Sequence, residues 1–239
     1  MRRRHPANTH LTLHYSGPWN GYDVQLQRGP LFIPYLERIH ETMNRAIARQ
    51  ARTMAVRVDL MLPANGYARS GDWFGLFVQS LRTQVDADLT RRKREGRRAP
   101  ACRIDYIGVE EQVGDRQVHY HLCLFLNGEI YRGLGELPTG RGSGGVSFDP
   151  DVPGDPRADQ ADSLAEKIVM AWARALGMTM REAAGLVHFP TGGVYRLRRS
   201  SAGFEATEAG LFNRLSYLAK AQSKRFGRGG RNIRYSRAG

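Results

Sequence analysis

Residues 103–126 read RIDYIGVEEQVGDRQVHYHLCLFL, and this stretch decides the fold. Apolar residues dominate 103–111 and 118–126 in the pattern typical of strands. The six residues between them, 112–117, include Gly114 and Asp115, a length and composition that suit a hairpin turn. We therefore predict that the two segments are antiparallel neighbours in a sheet.

The same criteria, applied outward from this hairpin, predict further strands and helices. The strands are expected at 53–61, 185–189 and 194–198, and the helices at 34–50, 72–95, 163–176 and 207–224. Ser163 and Glu166 form a capping-box pattern before the third helix, and Gly177 marks its end. This order predicts an α+β domain, with one central antiparallel β-sheet of about five strands and helices packed on it.

The chain is strongly basic. Its 36 Lys and Arg against 23 Asp and Glu give a net charge of +13 and a pI near 10.3. Such a charge favours polyanions, chiefly nucleic acid. No apolar run approaches the ~18 residues of a membrane span, and none follows the basic N-terminus, so we expect no membrane association and no secretory signal. Two cysteines cannot build a disulfide framework, which indicates a reducing, cytoplasmic compartment.

Composition divides the chain into a domain with appendages. We assign residues 1–27 to a basic extension, 28–224 to the domain and 225–239 to a tail rich in Arg and Gly. Arginines recur every three residues in the tail, which favours an extended arm along a phosphate backbone; the alternative is a disordered, solubilising tail. Residues 127–160 are rich in Gly, Pro and Asp and predict a long, flexible surface loop.

Two histidines on the strand 118–126 are candidate metal ligands. His119 and His121 are two residues apart, so both side chains point to one face of the strand with Cα atoms ~6.7 Å apart. The strand is otherwise apolar, and burying two imidazoles is costly unless each has a partner, so a metal ion or a hydrogen-bonded core pair is expected. Antiparallel pairing returns Glu110 and Glu111 toward His119, and only one of them can face the histidines. Two imidazoles and one carboxylate suit Mn²⁺ or Mg²⁺, with open positions for phosphate oxygens.

Tyr217 does not share the apolar face of its predicted helix. That face consists of Leu211, Phe212, Leu215, Leu218 and Ala219. Tyr217 falls nearly opposite its centre, and Lys220 lies one turn further on. A neighbouring ammonium group and a metal-bound phosphate are what would activate a tyrosine as a nucleophile. The alternative is a surface tyrosine that merely contacts another molecule.

Three further features have competing interpretations. Asp59 lies on the polar face of its strand, which favours a surface acid over a group that supports the metal ligands. His188 either faces DNA or is structural. Trp73, Trp172 and Phe212 fit helical core positions better than base-stacking platforms.

Several of these segments resemble a known family. Residues 118–122 (VHYHL) resemble the His-hydrophobic-His motif of HUH endonucleases, and residues 214–220 (RLSYLAK) resemble their Tyr-x-x-Lys motif. More narrowly, the chain is similar to the inovirus-type replication initiators, which are grouped with the YagK/YfjJ family of bacterial prophage proteins. Other matching segments lie at 29–31, 56–60, 106–111, 171–173 and 185–190. Together they extend over most of residues 28–227.

The resemblance implies an HUH/RRM-like palm and a metal-dependent single-strand DNA nickase, also able to rejoin ends, that initiates rolling-circle replication of a phage or prophage-like element. His119 and His121 would hold the ion, with Glu111 as the favoured third ligand. The family usually carries Arg before that acid, where this chain has Glu110. Tyr217 would attack the scissile phosphate and leave a 5′-phosphotyrosine and a free 3′-hydroxyl. Lys220 would orient or activate that attack.

The implied partners are single-stranded or hairpin DNA at a replication origin and the host helicase and polymerase, in the bacterial cytoplasm. The residues expected to contact DNA are Arg57, His188, Arg214, Lys224, Arg225, Arg228 and Arg231. Ala221 stands where a second tyrosine would follow, so a one-tyrosine enzyme is expected, and no Gly-Lys dipeptide offers a Walker A loop. The alternatives are a non-catalytic nucleic-acid-binding regulator on the same fold and an HUH transposase or relaxase.

Overall fold

The computed structural model describes residues 4–6, 8–63, 71–111, 118–135, 163–222, 224 and 232–237. The strands in these ranges are β1 (Arg4–His5), β2 (Asn8–His14), β3 (Leu31–Phe32), β4 (Arg52–Met61), β5 (Asp105–Glu111), β6 (His119–Asn127), β7 (Val187–His188), β8 (Val194–Arg198) and β9 (Ile233–Tyr235). The helices are α1 (Ile33–Ala48), α2 (Trp73–Arg94), α3 (Leu164–Leu176), α4 (Met180–Ala184) and α5 (Phe204–Ser216), followed by a 3₁₀ turn (Tyr217–Ala219). Within those ranges, no helix has the length and apolar composition to cross a membrane.

A central antiparallel sheet confirms the predicted α+β class. Its strand order is β7-β4-β6-β5-β9, and β8 also pairs with β4, on the same side as β7. As predicted, β5 and β6 are antiparallel neighbours. A small second sheet, β1-β2-β3, lies at the N-terminus.

Strand alternation gives the central sheet two different faces. Val56 and Val58 of β4 and Leu122 of β6 point toward α2 and α3 and form one core with them. Ala55 and Phe125 point to the other side, under α1 and α5. Because side chains alternate along a strand, His119 and His121 lie on this second face, at the end of β6 beyond its apolar part.

The boundaries of α3 follow from its sequence signals. Ser163 accepts a hydrogen bond from the Glu166 amide at 3.1 Å, and the Glu166 carboxylate accepts from the Ser163 amide at 2.8 Å. Gly177 ends the helix at φ +67°, a left-handed conformation that favours glycine. The predicted capping box and stop are thus confirmed.

The prediction of one continuous helix over 207–224 is wrong. The α-helix ends at Ser216, and Tyr217 begins a 3₁₀ turn. Lys220 then adopts an extended conformation and forms a β-bridge with Leu31 of β3. The next residue, Ala221, donates its backbone amide to the Pro30 carbonyl at 2.9 Å. Pairing with a distant part of the chain ends the helix, and local periodicity cannot predict such a long-range contact.

Both ends of the chain contribute strands. In the segment assigned to an N-terminal extension, β2 pairs with β3 and Leu13 is buried. In the segment assigned to a basic tail, β9 adds to β5 at the sheet edge, and the Ser236 hydroxyl donates to buried Asp105 at 2.8 Å. Residues 233–235 are therefore part of the sheet, which corrects their interpretation as an extended or disordered arm.

The predicted surface loop over 127–160 is described only in its first part. There Tyr131 is buried, and its hydroxyl donates to Asp88 Oδ2 of α2 at 2.9 Å. This part is therefore packed on the domain. Residues 136–160 lie outside the described residues.

Candidate active site

Three neighbouring strands place polar side chains together on the second face of the sheet. Glu111 of β5 stands opposite His119 of β6, and Asp59 of β4 stands opposite His121. The ring centroids of the two histidines are 6.2 Å apart. All four side chains therefore lie at the same end of the same face.

Asp59 orients His121. Its Oδ1 lies 2.7 Å from His121 Nδ1. Burial opposes the ionisation of Asp59, but the hydrogen bond to His121 and the charge of Arg57 outweigh it, so the pKa of this carboxyl is lowered. An ionised carboxylate only accepts, so Nδ1 carries the proton and the lone pair on Nε2 stays available. Asp59 is thus a partner of a candidate ligand, which corrects its interpretation as a surface acid.

Arg57 is buried beneath this pair. Its guanidinium lies 3.1 Å from Asp59 Oδ1 and donates to the Leu122 carbonyl at 2.6 Å. Only 6% of its side chain is exposed. Arg57 therefore holds Asp59 and is not exposed for the expected contact with DNA.

Two ammonium groups hold Glu111. Lys220 Nζ lies 2.8 Å from Oε2, and Lys224 Nζ lies 2.6 Å from Oε1. Burial opposes the ionisation of Glu111, but the two lysines outweigh it and lower the pKa of this carboxyl. Burial lowers the pKa of Lys224 to about 8, against the opposing effect of Glu111. The Lys224 side chain is 0% exposed, so its expected contact with DNA is not available in this arrangement.

The 3₁₀ turn brings Tyr217 to the same cluster. Lys220 Nζ donates to Tyr217 Oη at 2.5 Å and lies 3.8 Å from the centre of its ring. The Tyr217 ring is 6.2 Å from the His121 ring at 84°, an edge-to-face arrangement. Lys220 therefore links the phenol to Glu111, whose Oε2 lies 3.6 Å from His121 Nε2.

The segment before β3 braces the Tyr217 turn. The Gln25 amide donates to Ser216 Oγ at 2.9 Å, and its side-chain amide donates to the Asn213 carbonyl at 3.2 Å. The Asn213 side chain in turn donates to the Asp23 carbonyl at 3.1 Å. This brace cannot be predicted from the sequence, because polar contacts across nearly two hundred residues leave no periodic signal.

The remaining predicted residues fall into three places. Glu110 lies on the opposite face, 3.8 Å from Arg234, so Glu111 is the acid that faces the histidines. His188 is 64% exposed with Nδ1 3.7 Å from Asp59 Oδ2, and Arg214 donates to the Thr191 carbonyl. The other three, Arg225, Arg228 and Arg231, lie outside the described residues.

The donor types at this site fit a divalent cation. His119, His121 and Glu111 are imidazole and carboxylate groups on one face. Burial lowers the pKa of His119, which favours its neutral, ligating form. No three His, Cys, Asp or Glu side chains among the described residues already surround a common point. Each Glu111 oxygen also contacts one lysine, so a cation bound by Glu111 would share this carboxylate with two ammonium groups.

The sequence profile of the YagK/YfjJ C-terminal domain matches residues 19–236, and the chain belongs to that family. Two relatives come from Escherichia coli (strain K12). "Uncharacterized protein YagK" is 32% identical over 216 residues, which covers 86% of this chain and 93% of that protein. "Uncharacterized protein YfjJ" is 26% identical over 214 residues, which covers 85% and 93%. No solved structure matches the chain significantly.

Proposed function

We propose that this protein is a divalent-metal-dependent DNA nickase of the HUH type, which cuts and rejoins one strand at a replication origin and so initiates rolling-circle replication of a phage or prophage-like element. One observation carries the proposal. The phenol of Tyr217, the ammonium of Lys220 and the Glu111–His121 pair form one connected chain of contacts at the end of the sheet. A tyrosine that only contacted a partner would not need this environment.

The side chains have distinct roles in this reaction. Tyr217 Oη forms a bond to the scissile phosphorus while the P–O3′ bond breaks, leaving a 5′-phosphotyrosine and a 3′-hydroxyl. The phenolic proton passes to solvent, and the departing 3′-oxygen takes a proton from solvent. Lys220, which already donates to Oη, stabilises the phenolate as it forms.

His119, His121 and Glu111 are the groups that would hold Mn²⁺ or Mg²⁺, and the ion would supply positive charge to the oxygens of the scissile phosphate. Asp59 keeps Nε2 of His121 free for this purpose through its bond to Nδ1. A host polymerase in a bacterial cytoplasm would then extend the free 3′-end, while a host helicase unwinds the duplex ahead of it.

The test is covalent capture of DNA. The full chain is incubated with Mn²⁺ and single-stranded or hairpin origin DNA labelled at its 3′-end, the end that stays with the phosphotyrosine, and a denaturant-resistant shifted band is sought. Tyr217→Phe should abolish the adduct and leave DNA binding nearly unchanged, because it removes one oxygen. Tyr15→Phe is the matched control, since Tyr15 is an exposed tyrosine on the N-terminal segment, and it should form the adduct normally. An adduct that persists in Tyr217→Phe would refute the assigned nucleophile.

A second candidate is a non-catalytic DNA-binding regulator on the same fold. The observation that favours it is the engagement of both Glu111 oxygens by Lys220 and Lys224, whose positive charges oppose the approach of a cation. The two candidates differ in metal binding. A nickase should bind Mn²⁺ and lose that affinity in His121→Ala, whereas a regulator of this kind should bind DNA in strong chelator with no Mn²⁺ response and no adduct.

A further inference from the structure

The outer strand β8 carries exposed arginines at the edge of the sheet. Arg196 and Arg198 are two residues apart on it, which places them on one side ~6.7 Å from each other, and Arg199 follows directly. Arg196 Nε donates to the Arg132 carbonyl at 2.6 Å, which places the exposed Arg132 beside them. We call Arg132, Arg196, Arg198 and Arg199 the basic edge.

Among the described residues, no carboxylate pairs with the arginines of the basic edge. The sequence has no acidic residue between Glu182 and Glu205. Arg196 uses its Nε on a backbone carbonyl and Arg198 uses its Nε on Ser200 Oγ at 3.0 Å. Within the described part of the chain, none of the four guanidinium groups of the basic edge forms an ion pair with a carboxylate. Elsewhere on the surface, pairs such as Arg38–Glu41 balance their charge.

The basic edge lies on the flank of β4 that also reaches the candidate site, although Arg196 and Arg198 project from the face that packs on α2 and α3 and Asp59 projects from the other face. Along that flank His188 pairs with Asp59, Arg196 with Met54, and Arg198 with Arg52. At about 3.3 Å per residue, the two arginines stand roughly 17 and 23 Å from Asp59 along β4. DNA advances 3.4 Å per nucleotide along one strand, so this span corresponds to about five to seven base pairs.

We propose that the basic edge binds the phosphate backbone of a DNA duplex that flanks the nicked strand. The inference rests on the proposed function for the position of the nick, although the binding itself requires no cleavage. A duplex is favoured over a single strand because the large apolar side chains that are exposed among the described residues are Tyr15 and Leu76, neither of them on this edge. Binding to single strands relies on exposed aromatic rings on which bases stack.

The experiment measures affinity as a function of salt. The full chain is titrated with a fluorescent hairpin whose duplex arm has twelve base pairs next to the single-stranded nick region, and with the same single strand without the arm. The variants are Arg196→Gln, Arg198→Gln, Arg199→Gln and the triple variant. Arg38→Gln, which removes the same charge from an exposed helix position, is the matched control. Adduct formation on a short single strand is measured in parallel.

Each lost phosphate contact should reduce the slope of log affinity against log salt by about 0.9 and weaken binding roughly fivefold at about 0.15 M salt. The loss should be confined to probes with the duplex arm and should disappear when the arm is shortened to about three base pairs. Adduct formation on the short strand should match wild type. Arg196→Lys should retain the salt slope, which separates lost charge from a folding defect.

Three results would overturn the proposal. The triple variant could bind the armed probe with wild-type affinity and slope, or lose no more than Arg38→Gln does. It could also weaken binding equally with and without the arm, which would assign the basic edge to single strands. A failure of the proposed nickase activity gives a different pattern, because no probe would form an adduct while the binding differences among the variants would remain.

Discussion

The buried ion pair between Glu111 and Lys224 allows a quantitative test of the site. The two groups are 2.6 Å apart, and their side chains are 6% and 0% exposed. Replacing Glu111 by Gln leaves the Lys224 ammonium buried without its counter-charge, and removing one partner of a buried pair costs about 3–5 kcal/mol of unfolding free energy. We expect a value near the lower end, about 3 kcal/mol, because Lys224 has a pKa of about 8 and releases its proton readily.

Replacing Lys224 by Met should cost much less, about 1 kcal/mol. Glu111 keeps Lys220 at 2.8 Å, and the methionine fills the space of the lysine stem while removing the cost of burying an ammonium group. The double variant Glu111→Gln/Lys224→Met should therefore be more stable than Glu111→Gln alone. This order of stabilities reports the buried charge pair itself, because side-chain volume changes little in either substitution.

The assay is thermal unfolding of the full chain at pH 7 in chelator, which prevents stabilisation by bound metal. For a chain of this size 1 kcal/mol corresponds to about 2–4 °C, so Glu111→Gln should lower Tm by roughly 6–12 °C and Lys224→Met by about 2–4 °C. A cost below about 1 kcal/mol for Glu111→Gln, or a larger loss of stability in Lys224→Met than in Glu111→Gln, would contradict the assigned ion pair.

Three further predictions concern the surroundings of the site. Asp59→Asn should weaken Mn²⁺ binding about 10- to 100-fold by calorimetry, because a neutral amide, which can also donate, replaces the ionised acceptor that fixes the tautomer of His121; unchanged affinity would remove Asp59 from that role. Between pH 8 and 10.5, Lys224 binds fewer protons in the folded state than in the unfolded state. As the pH rises through that window, the unfolding free energy of wild type should therefore increase by up to about 3 kcal/mol relative to that of Lys224→Met; parallel curves of stability against pH would contradict this. Ser236→Ala should cost about 1–2 kcal/mol in denaturant unfolding because buried Asp105 loses its hydroxyl donor, whereas a loose tail would show no effect.

Strand periodicity predicted the part of the site that lies on the sheet. A side-chain period of two and a short hairpin suffice to place His119, His121 and one of two adjacent glutamates on a single face. The structure assigns that place to Glu111, since Glu110 points to the other side, toward Arg234. The departure of Tyr217 from the apolar stripe of α5 was likewise visible from helical spacing, and the turn that carries it reaches the same site.

The surroundings of these groups could not be predicted in the same way. Arg57 and Lys224 read as basic residues for DNA, yet each is buried against a carboxylate. Charge alone does not distinguish a cation that faces solvent from one that pairs with an acid far away in the chain. The hydrogen bond from Gln25 to Ser216 and the pairing of β9 with β5 could not be predicted either, because each joins segments more than a hundred residues apart.

The sequence by itself determined the α+β class, the strand faces, the caps of α3 and the residue types of the candidate site, because each depends on a local period or on a spacing of a few residues. The tertiary structure decided which cations are buried, where the last helix stops and how Tyr217, Lys220 and Glu111 meet. Those outcomes depend on long-range pairing and on the cost of burying charge, and no short stretch of the chain determines either of them.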